Sequence, residues 1–297
     1  CVAPVKSLSS FFASACNKII SANLNKILLF GLAQPFAVFH LYPINAVGSL
    51  KEKRILLPPD IKFKSKNLFP LISFPSALLK LKGGNADDYI NSLKESKRYQ
   101  LRKKLRKALP APLDVSIVHL PDNQTLHQLY RLFSRTYLKG KTKLEELTPE
   151  FFEFISREKE AHFIILRHQS SQEIVAFMLC FDLKGHVINK FIGIDYDAPR
   201  DWFIYFRLWI EAVNWSYKIG AKTIQSGQTA YPAKIETGHE LIHLTNFCKH
   251  RNRFMHEIYK KVASLVNWDT LDPDLAIYLK AYPEEKPSIQ LIKKGEM

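Results

Sequence analysis

Residues 193–238, GIDYDAPRDWFIYFRLWIEAVNWSYKIGAKTIQSGQTAYPAKIETG, contain the pattern that decides the fold. They predict one helix between Pro199 and Gly220, because large apolar residues recur there at three- and four-residue intervals. These residues are Trp202, Phe206, Trp209, Ile210, Val213 and Tyr217. The β-prone run 222–225 then predicts a short strand. The stretch therefore contains a helix with one buried face, followed by a strand.

A polar cluster comes directly after this strand. Ser226 and Gly227 end the strand, and four polar side chains follow: Gln228, Thr229, Tyr231 and Lys234. Binding and catalytic residues are often found on loops that a rigid scaffold positions. We therefore expect the active site at this strand end.

The composition is that of a globular protein with a strong positive charge. The chain has 297 residues, of which 46% are hydrophobic and 12% aromatic, enough for one large domain or two small ones. The formal net charge of +15 predicts attraction to polyanions such as phosphate-bearing cofactors, tRNA or anionic lipid surfaces. Charge alone does not choose among these partners.

The cysteines predict a reducing compartment. They are far apart and lack metal-ligand spacing, so we expect free thiols, no metal site and a cytoplasmic protein. The four are Cys1, Cys16, Cys180 and Cys248. A chain that begins at Cys1 fits either trimming or a processed lipoprotein, and the apolar residues 2–5 favour trimming.

The apolar run 27–47 predicts buried strands and not a membrane span. Polar residues and prolines interrupt it within the roughly 20 residues that a span needs. They are Gln34, Pro35, His40, Pro43 and Asn45. We therefore expect no transmembrane segment.

Changes in pattern divide the chain into four predicted sections. They are a strand-rich section 1–86, a basic linking helix 87–111, a third section 112–255, and a C-terminal helix with a tail, 256–297. In the first section, short apolar runs bounded by Gly and Pro predict strands at 27–30, 36–41 and within 69–81.

The linking helix is unusually basic. We expect a cap at Asp87 or Asp88 and a helix that continues to about Ala108. Its basic residues, opposed by Glu95 alone, are Lys97, Arg98, Arg102, Lys103, Lys104, Arg106 and Lys107. Such a run is either a solvated helix surface or a surface that faces phosphates of tRNA, cofactor or membrane, and both interpretations stay open.

The third section has the predicted order β-α-α-β-β-β-α-β. The elements before the aromatic helix are a strand at 115–120, helices at 122–138 and from 148, and strands at 162–167, 174–181 and 186–192. Turn-like segments join the last three strands, which predicts an antiparallel meander.

This order resembles the GNAT N-acyltransferase fold, and the motifs resemble its Fem-like branch, which contains peptidoglycan aminoacyl transferases and acetyltransferase-like domains. The matching motifs are Tyr89-Ile90-x-x-Leu93-x-x-x-x-Arg98-x-x-x-Arg102, Gly193-Ile194-Asp195-Tyr196, the aromatic helix up to Gly220, and Gly227-Gln228-Thr229-Ala230-Tyr231-x-x-Lys234-x-x-x-Gly238. The resemblance covers 87–247. It implies an α+β fold with a mixed, mostly antiparallel sheet flanked by helices, and suggests that 1–86 is the remnant of a first, related half.

The same resemblance implies an acyltransferase that moves an acyl or aminoacyl group from acyl-CoA or aminoacyl-tRNA to an amine by direct attack, without a metal. It also implies a bacterial cell-envelope role, in the cytoplasm or peripherally at the inner membrane surface. The chain lacks the glycine-rich phosphate loop of acetyl-CoA-binding members at 196–201, which puts a standard pyrophosphate cradle in doubt.

Two alternatives remain beside an acyl-CoA-dependent enzyme. Aminoacyl-tRNA as the donor is favoured by the charge and the missing glycine loop, but no long paired-helix insertion is present. The other alternative is a non-catalytic module of the same fold that binds an anionic surface or nucleic acid.

Three residues are candidates for catalysis. Tyr231 can donate a proton or hydrogen-bond the carbonyl, Lys234 can hold a phosphate or the developing negative charge, and Asp195 can orient or deprotonate the amine. Each has an ordinary structural alternative: a half-buried aromatic, a solvated loop lysine and a turn residue.

The remaining candidates concern binding. For the cofactor they are Arg200, Gly227, Gln228 and Thr229, and for the substrate Tyr196, Arg98 and Arg102. His239 and His243 have metal-ligand spacing on a helix, but without a third ligand we interpret them as an incidental pair.

Overall fold

The structure, a computed structural model, describes residues 36–40, 69–140, 147–250 and 252–285. Its strands are β1 (Phe36–His40), β2 (Phe69–Ile72), β3 (Ser76–Lys80), β4 (Leu113–Val118), β5 (Ala161–His168), β6 (Ile174–Asp182), β7 (His186–Ile194), β8 (Thr223–Ser226), β9 (Glu240–Ile242) and β10 (Thr245–His250). Its helices are α1 (Ala86–Ser92), α2 (Glu95–Ala108), α3 (Asn123–Lys139), α4 (Pro149–Ser156), α5 (Ile204–Lys218), α6 (Tyr231–Glu236), α7 (Arg253–Ala263), α8 (Trp268–Leu271) and α9 (Pro273–Ala281). Among these helices none combines the length and the apolar character needed to cross a membrane.

Ser76–Ile242 form one compact unit around a seven-stranded sheet. The strand order is β4-β5-β6-β7-β8-β3-β9, and β7 and β8 are the parallel pair in an otherwise antiparallel arrangement. This confirms the predicted α+β class with a mixed, mostly antiparallel sheet. The sequence of elements from β4 to β8 also confirms the predicted GNAT order, including the meander β5-β6-β7.

Helices cover both faces of this sheet. Because side chains alternate along a strand, Phe163 and Ile165 of β5 pack on α3 and α4, whereas Ile164 and Leu166 belong to the cluster of α2 and α5. A strand that is buried on both faces has a continuous apolar sequence. This explains why β5 and β6 contain uninterrupted apolar runs.

The predicted N-cap of the basic helix is wrong by two or three residues. The side chain of Asn85, not that of Asp87 or Asp88, caps α1 by accepting a hydrogen bond from the Asp88 N–H, with a nitrogen–oxygen distance of 2.9 Å. Asp88 instead accepts a hydrogen bond from the Gly84 N–H at 2.8 Å. A short amide side chain is as good a cap as a carboxylate, so residue type alone did not settle the position.

The basic segment is also two helices where the sequence predicts one. Leu93 and Lys94 have extended ψ angles of 153° and 144° and separate α1 from α2. The side chain of Leu93 packs against Gly238, where an added Cβ would lie 2.4 Å from Leu93 Cδ2. A contact between residues so distant in the chain leaves no local sequence signal for the break.

The second compact unit comprises Cys1–Pro75 and His243–Met297. Its described residues form the antiparallel sheet β1-β10-β2 and a small core in which Phe69 and Leu71 pack with Tyr259 and Ala263 of α7. The predicted strands at 36–41 and within 69–81 are confirmed as β1, β2 and β3. The predicted strand 27–30 lies outside the described residues, and the four-section division with a first related half stays a proposal.

Candidate active site

Strands β7 and β8 form a fork. Their parallel pairing ends where Asn189 lies opposite Ser226, the last residue of β8, while β7 continues to Ile194. The end of β8 is where the predicted polar cluster begins. The fork therefore places that cluster beside the free half of β7.

A β-bulge lies at Lys190, where the fork begins. Asn189 and Phe191 pair with adjacent residues of β6, so Lys190 between them opposes no residue of that strand. A bulge bends its strand and increases the local twist. On the other side of the fork, a Cβ added to Gly227 would lie 3.7 Å from the Lys190 carbonyl oxygen.

The segment after β8 contains a short helix where the sequence suggested a loop. Ala230 has a φ of 55° in the left-handed region, which costs a non-glycine residue about 1 kcal/mol. The turn leads into α6, with Pro232 in its first turn, a position that proline fits well. This helix directs Tyr231 and Lys234 inward, and both are buried.

Lys234 is a buried lysine that folds back onto the fork. Its residue is 7% exposed, and its Nζ donates hydrogen bonds to the backbone oxygens of Gly227 and Thr229, both at 2.5 Å. Burial, with the positive charge of Lys190 as the second cause, lowers the pKa of Lys234 to about 7. The ordinary alternative of a solvated loop lysine is therefore wrong for this side chain.

Tyr231 lies beside this ammonium group. Its side chain is fully buried, and its ring centroid is 5.9 Å from Lys234 Nζ. The alternative interpretation as a half-buried aromatic is wrong, because the turn at Ala230 points the ring into the unit. Tyr231 and Lys234 therefore share one enclosed position.

His239 connects the end of β8 to α6. Its Nδ1 lies 3.0 Å from the backbone oxygen of Lys234, and its Nε2 lies 3.0 Å from Ser226 Oγ. Because a carbonyl oxygen only accepts, Nδ1 carries the proton and Nε2 accepts from Ser226. Burial and the charge of Lys234 lower the pKa of His239 to about 3, which keeps the imidazole neutral.

Two further side chains hold the C-terminal end of α6. Tyr89 of α1 donates a hydrogen bond from its hydroxyl to the Thr237 oxygen at 2.7 Å, and Trp209 of α5 donates to the Tyr89 hydroxyl at 3.0 Å. The indole of Trp209 also packs on His239, with ring centroids 4.8 Å apart. Tyr89 of the basic-helix motif and Trp209 of the aromatic helix therefore both contact the segment that contains Lys234.

Asp195 lies at the far end of β7 in an ion pair. Arg135 of α3 contacts the Asp195 carboxylate at 3.1 Å and that of Asp197 at 2.5 Å. From Lys190 to Asp195 the strand advances about 16 Å at the usual rise per residue. The structure therefore does not bring Asp195 into contact with Lys234.

The neighbouring residues of this strand end are also tied to α3. The Ile194 N–H donates a hydrogen bond to Thr136 Oγ1 at 2.9 Å, and Lys139 Nζ lies 3.7 Å from the ring centroid of the exposed Tyr196. One turn of α3 thus holds residues 194–197 through side-chain contacts. Tyr196 is 40% exposed at this end.

The predicted phosphate-binding Arg200 is exposed and lies in a 3-10 helix, Arg200–Trp202, just before α5. Phe203, with a φ of 42°, joins the two helices and supplies no side-chain cap to α5. The first N–H groups of a helix attract anions. Arg200 therefore lies close to the N-terminus of α5, which attracts phosphate groups.

Arg98 and Arg102 both contact Asn91 and so fix the bend between α1 and α2. Arg98 Nη1 donates to the Asn91 backbone oxygen at 3.2 Å, and Arg102 Nη2 donates to Asn91 Oδ1 at 2.6 Å. Their predicted role in substrate binding stays a prediction.

The structure thus brings four predicted residues together at the fork: Gly227, Thr229, Tyr231 and Lys234. Gln228 lies in the same segment and is half-buried. Sequence reasoning missed Lys190 and Arg135, because a bulge has no signature in an alternating strand and the partners of Arg135 are sixty residues away. It also set aside His239, whose signal was only its spacing from His243.

Within residues 69–140, 147–250 and 252–285 the structure contains no cluster of three His, Cys, Asp or Glu side chains able to hold a metal ion. The arrangement at the fork instead offers a buried ammonium group, a buried phenol and backbone oxygens. Such a site suits a ligand with a negative charge or a carbonyl group.

A model of the FemAB-like family, described as peptidoglycan biosynthesis/recognition, matches residues 76–256, more than half of the chain. None of the curated proteins compared with the chain matches it.

Several solved structures match part of the chain at low sequence identity. L-PGS from Bacillus licheniformis is 13% identical over 66% of this chain and 67% of that one, with a TM-score of 0.47. FemX is 11% identical over 66% of both chains, with a TM-score of 0.49. A tandem GNAT protein from the clavulanic acid biosynthesis pathway is 9% identical over 63% of this chain and 55% of that one, with a TM-score of 0.38. The chain thus spans about two thirds of L-PGS and of FemX.

Proposed function

The chain belongs to the FemAB-like family, and on that premise we propose that it transfers an acyl or aminoacyl group to an amine acceptor of the cell envelope. The observation that carries the proposal is Lys234, a buried lysine at the fork of β7 and β8 with a pKa of about 7. This ammonium group is buried and has no carboxylate partner among the described ion pairs. It can therefore stabilise the negative charge of a bound ligand or of a transition state.

The proposed reaction is a direct attack. The neutral amine nitrogen of the acceptor bonds to the carbonyl carbon of the donor, and the carbonyl oxygen becomes an oxyanion. The bond to the leaving group, a CoA sulfur or a tRNA ribose oxygen, then breaks. The amine proton passes to that leaving group, and the products are an amide and a free thiol or hydroxyl.

The residues of the fork are assigned roles in this reaction. The Lys234 ammonium stabilises the oxyanion or a donor phosphate, and its pKa rises when the anion binds because opposite charges favour the charged form. Tyr231 donates a proton or a hydrogen bond from the same enclosed position. Gly227 and Thr229 orient Lys234 with their backbone oxygens, and Gln228 contacts the donor.

Asp195 is assigned to the acceptor. It lies in an ion pair with Arg135 at the end of β7 and orients the amine through its charge, while Tyr196 adjoins it as a substrate contact. Arg98 and Arg102 both donate hydrogen bonds to Asn91. We therefore assign them to the acceptor through their positive charge, which acts at a distance. Arg200 and the start of α5 are assigned to donor phosphate.

Acyl-CoA and aminoacyl-tRNA are both candidate donors. The positive charge of +15 and the absence of a glycine-rich loop at 196–201 favour tRNA. The remaining alternative is a non-catalytic module that keeps the fold to bind an anionic partner. We propose a cytoplasmic protein, peripheral at the inner membrane surface.

Thermal unfolding with candidate donors tests the proposal. A ligand that binds only the folded chain at about 100 times its Kd stabilises it by about 2.7 kcal/mol. We expect a rise in Tm with acetyl-CoA, a long-chain acyl-CoA or aminoacyl-tRNA. Lys234→Met abolishes this rise, whereas Lys218→Met, at an exposed position of α5, preserves it. No rise with any donor would favour the non-catalytic module.

A further inference from the structure

Six of the seven cations of helix α2 are of two kinds; the seventh, Lys97, is half-buried. The first kind is engaged inside the unit: Arg98 and Arg102 hold Asn91, and Lys104 pairs with Glu236 at 2.5 Å while lying over the Phe206 ring. The second kind consists of three exposed cations for which no hydrogen bond or ion pair is described, Lys103, Arg106 and Lys107. The described contacts within the unit therefore do not explain why these three cations are present.

The unengaged cations lie on one face. At 100° per residue, Tyr99, Lys103 and Arg106 lie within a sector of about 60°, and Lys107 flanks it on one side. Leu101, Leu105 and Ala108 on the opposite face are buried in the core. We call the exposed set the outer basic face; Leu109, the C-cap residue, borders it beyond Arg106.

Large apolar side chains accompany these cations. Tyr99 is 58% exposed near one end of the outer basic face, and Leu109 is 51% exposed at the other. Leu109 is not part of a frayed end, because its N–H donates to Leu105 O and its own oxygen accepts from Arg207 Nη1, both at 2.9 Å. The unit therefore holds an exposed leucine in a fixed position, less than one turn beyond Arg106.

We propose that the outer basic face docks on an anionic lipid surface. Lysine and arginine meet the lipid phosphates, while tyrosine and leucine enter the boundary between headgroups and acyl chains. A nucleic acid would use the cations and stack on Tyr99, but it offers nothing to the exposed leucine. Glu95, in the first turn of α2, is the acidic residue of this helix. The net charge of the outer basic face is therefore positive. This inference does not depend on the proposed transfer reaction.

Co-sedimentation of the full chain with vesicles tests the docking. The probes are vesicles of three parts phosphatidylcholine to one part phosphatidylglycerol, vesicles of phosphatidylcholine alone, and single-stranded RNA as the competing polyanion. We expect binding to the anionic vesicles only. Replacement of Lys103, Arg106 and Lys107 by Gln weakens it by about 100-fold, since each cation near such a surface contributes about 1 kcal/mol.

The matched control is the triple replacement of Lys184, Lys218 and Lys222 by Gln. These lysines are exposed, and their loss lowers the net charge by the same amount, yet we expect it to leave vesicle binding nearly unchanged. A second variant, Tyr99→Ser with Leu109→Ser, keeps every charge and is expected to weaken vesicle binding while RNA binding stays the same. All these positions are exposed, so an unchanged Tm verifies the fold.

The proposal is overturned if the two triple variants bind vesicles equally, because binding would then follow net charge alone. It is also overturned if the double serine variant binds vesicles as well as the native chain, or if RNA binds and anionic vesicles do not.

Discussion

The imidazole Nδ1 of His239 lies 3.0 Å from the backbone oxygen of Lys234, and the same lysine returns its Nζ to the oxygens of Gly227 and Thr229. Nε2 of His239 is meanwhile 3.0 Å from Ser226 Oγ. The end of β8 and helix α6 are thus joined twice, once through each buried basic side chain. The position of the Lys234 ammonium group is therefore fixed by the backbone on either side of it.

Lys234 gives stability a distinctive dependence on pH. Its pKa is about 7 in the folded chain against 10.5 ordinarily, so the folded state binds fewer protons between these values and stability rises with pH there. Between about pH 7 and pH 9 we expect the native chain to gain about 2 kcal/mol relative to Lys234→Met. Urea unfolding of both proteins at the two pH values measures this. Parallel pH dependences would show that the folded lysine titrates normally.

His239 predicts a pH dependence of the same direction in the acidic range. Its pKa is about 3 in the folded chain against 6.5 ordinarily, so the native chain loses stability as pH falls below about 6.5, because the unfolded state takes up the proton. His239→Gln removes this loss.

At about pH 8 we expect His239→Gln to be less stable by about 2 kcal/mol, since buried partners lose their hydrogen bonds. That deficit shrinks by about 2 kcal/mol towards pH 5. Denaturant unfolding at a series of pH values tests this, and Ser226→Ala, which removes one partner but no titrating group, is the control. A deficit independent of pH would mean that His239 protonates freely in the fold.

Gly193 sets the contact between α3 and β7. A Cβ at this position would lie 2.8 Å from Phe133 N, 2.9 Å from the Leu132 carbonyl carbon and 2.4 Å from Phe177 Cε1. Two of these atoms are backbone and cannot move alone, so we expect Gly193→Ala to destabilise the chain by about 3 kcal/mol. Thermal and urea unfolding measure the loss.

The control is Gly84→Ala, where the nearest atom, Asp88 Oδ2, lies 3.8 Å from the added Cβ. We expect a change below about 1 kcal/mol there. Equal effects at the two glycines would indicate that α3 is free to move away from β7.

The fold was largely predictable because its signals are local. Turn-like segments such as the one that ends at Gly185 predict the meander, and the spacing of Trp209 and Val213 predicts α5, which the structure confirms. The break at Leu93 was not predictable, since the contact of Leu93 with the distant Gly238 leaves no local signal in the sequence.

The candidate site was only partly predictable. The motif around Lys234 indicated which residues to examine, but its burial depends on the left-handed turn at Ala230, a conformation that alanine seldom adopts. The contributions of Lys190 and Arg135 arise from a strand bulge and a contact between separate elements. Neither a strand bulge nor a contact of this kind can be recognised from residue spacing or composition.

The most direct test is acceptor-dependent amide formation by the purified full chain. The chain is incubated with each donor and with two amine acceptors, a lysine-containing peptide and an aminolipid, and amide products are measured by mass spectrometry. The account predicts a product with one donor, a rate lower by about 100-fold or more in Lys234→Met, and a native rate in Lys218→Met. No product with any donor, or equal rates in the native chain and Lys234→Met, would contradict the assignment of the fork as a transferase site.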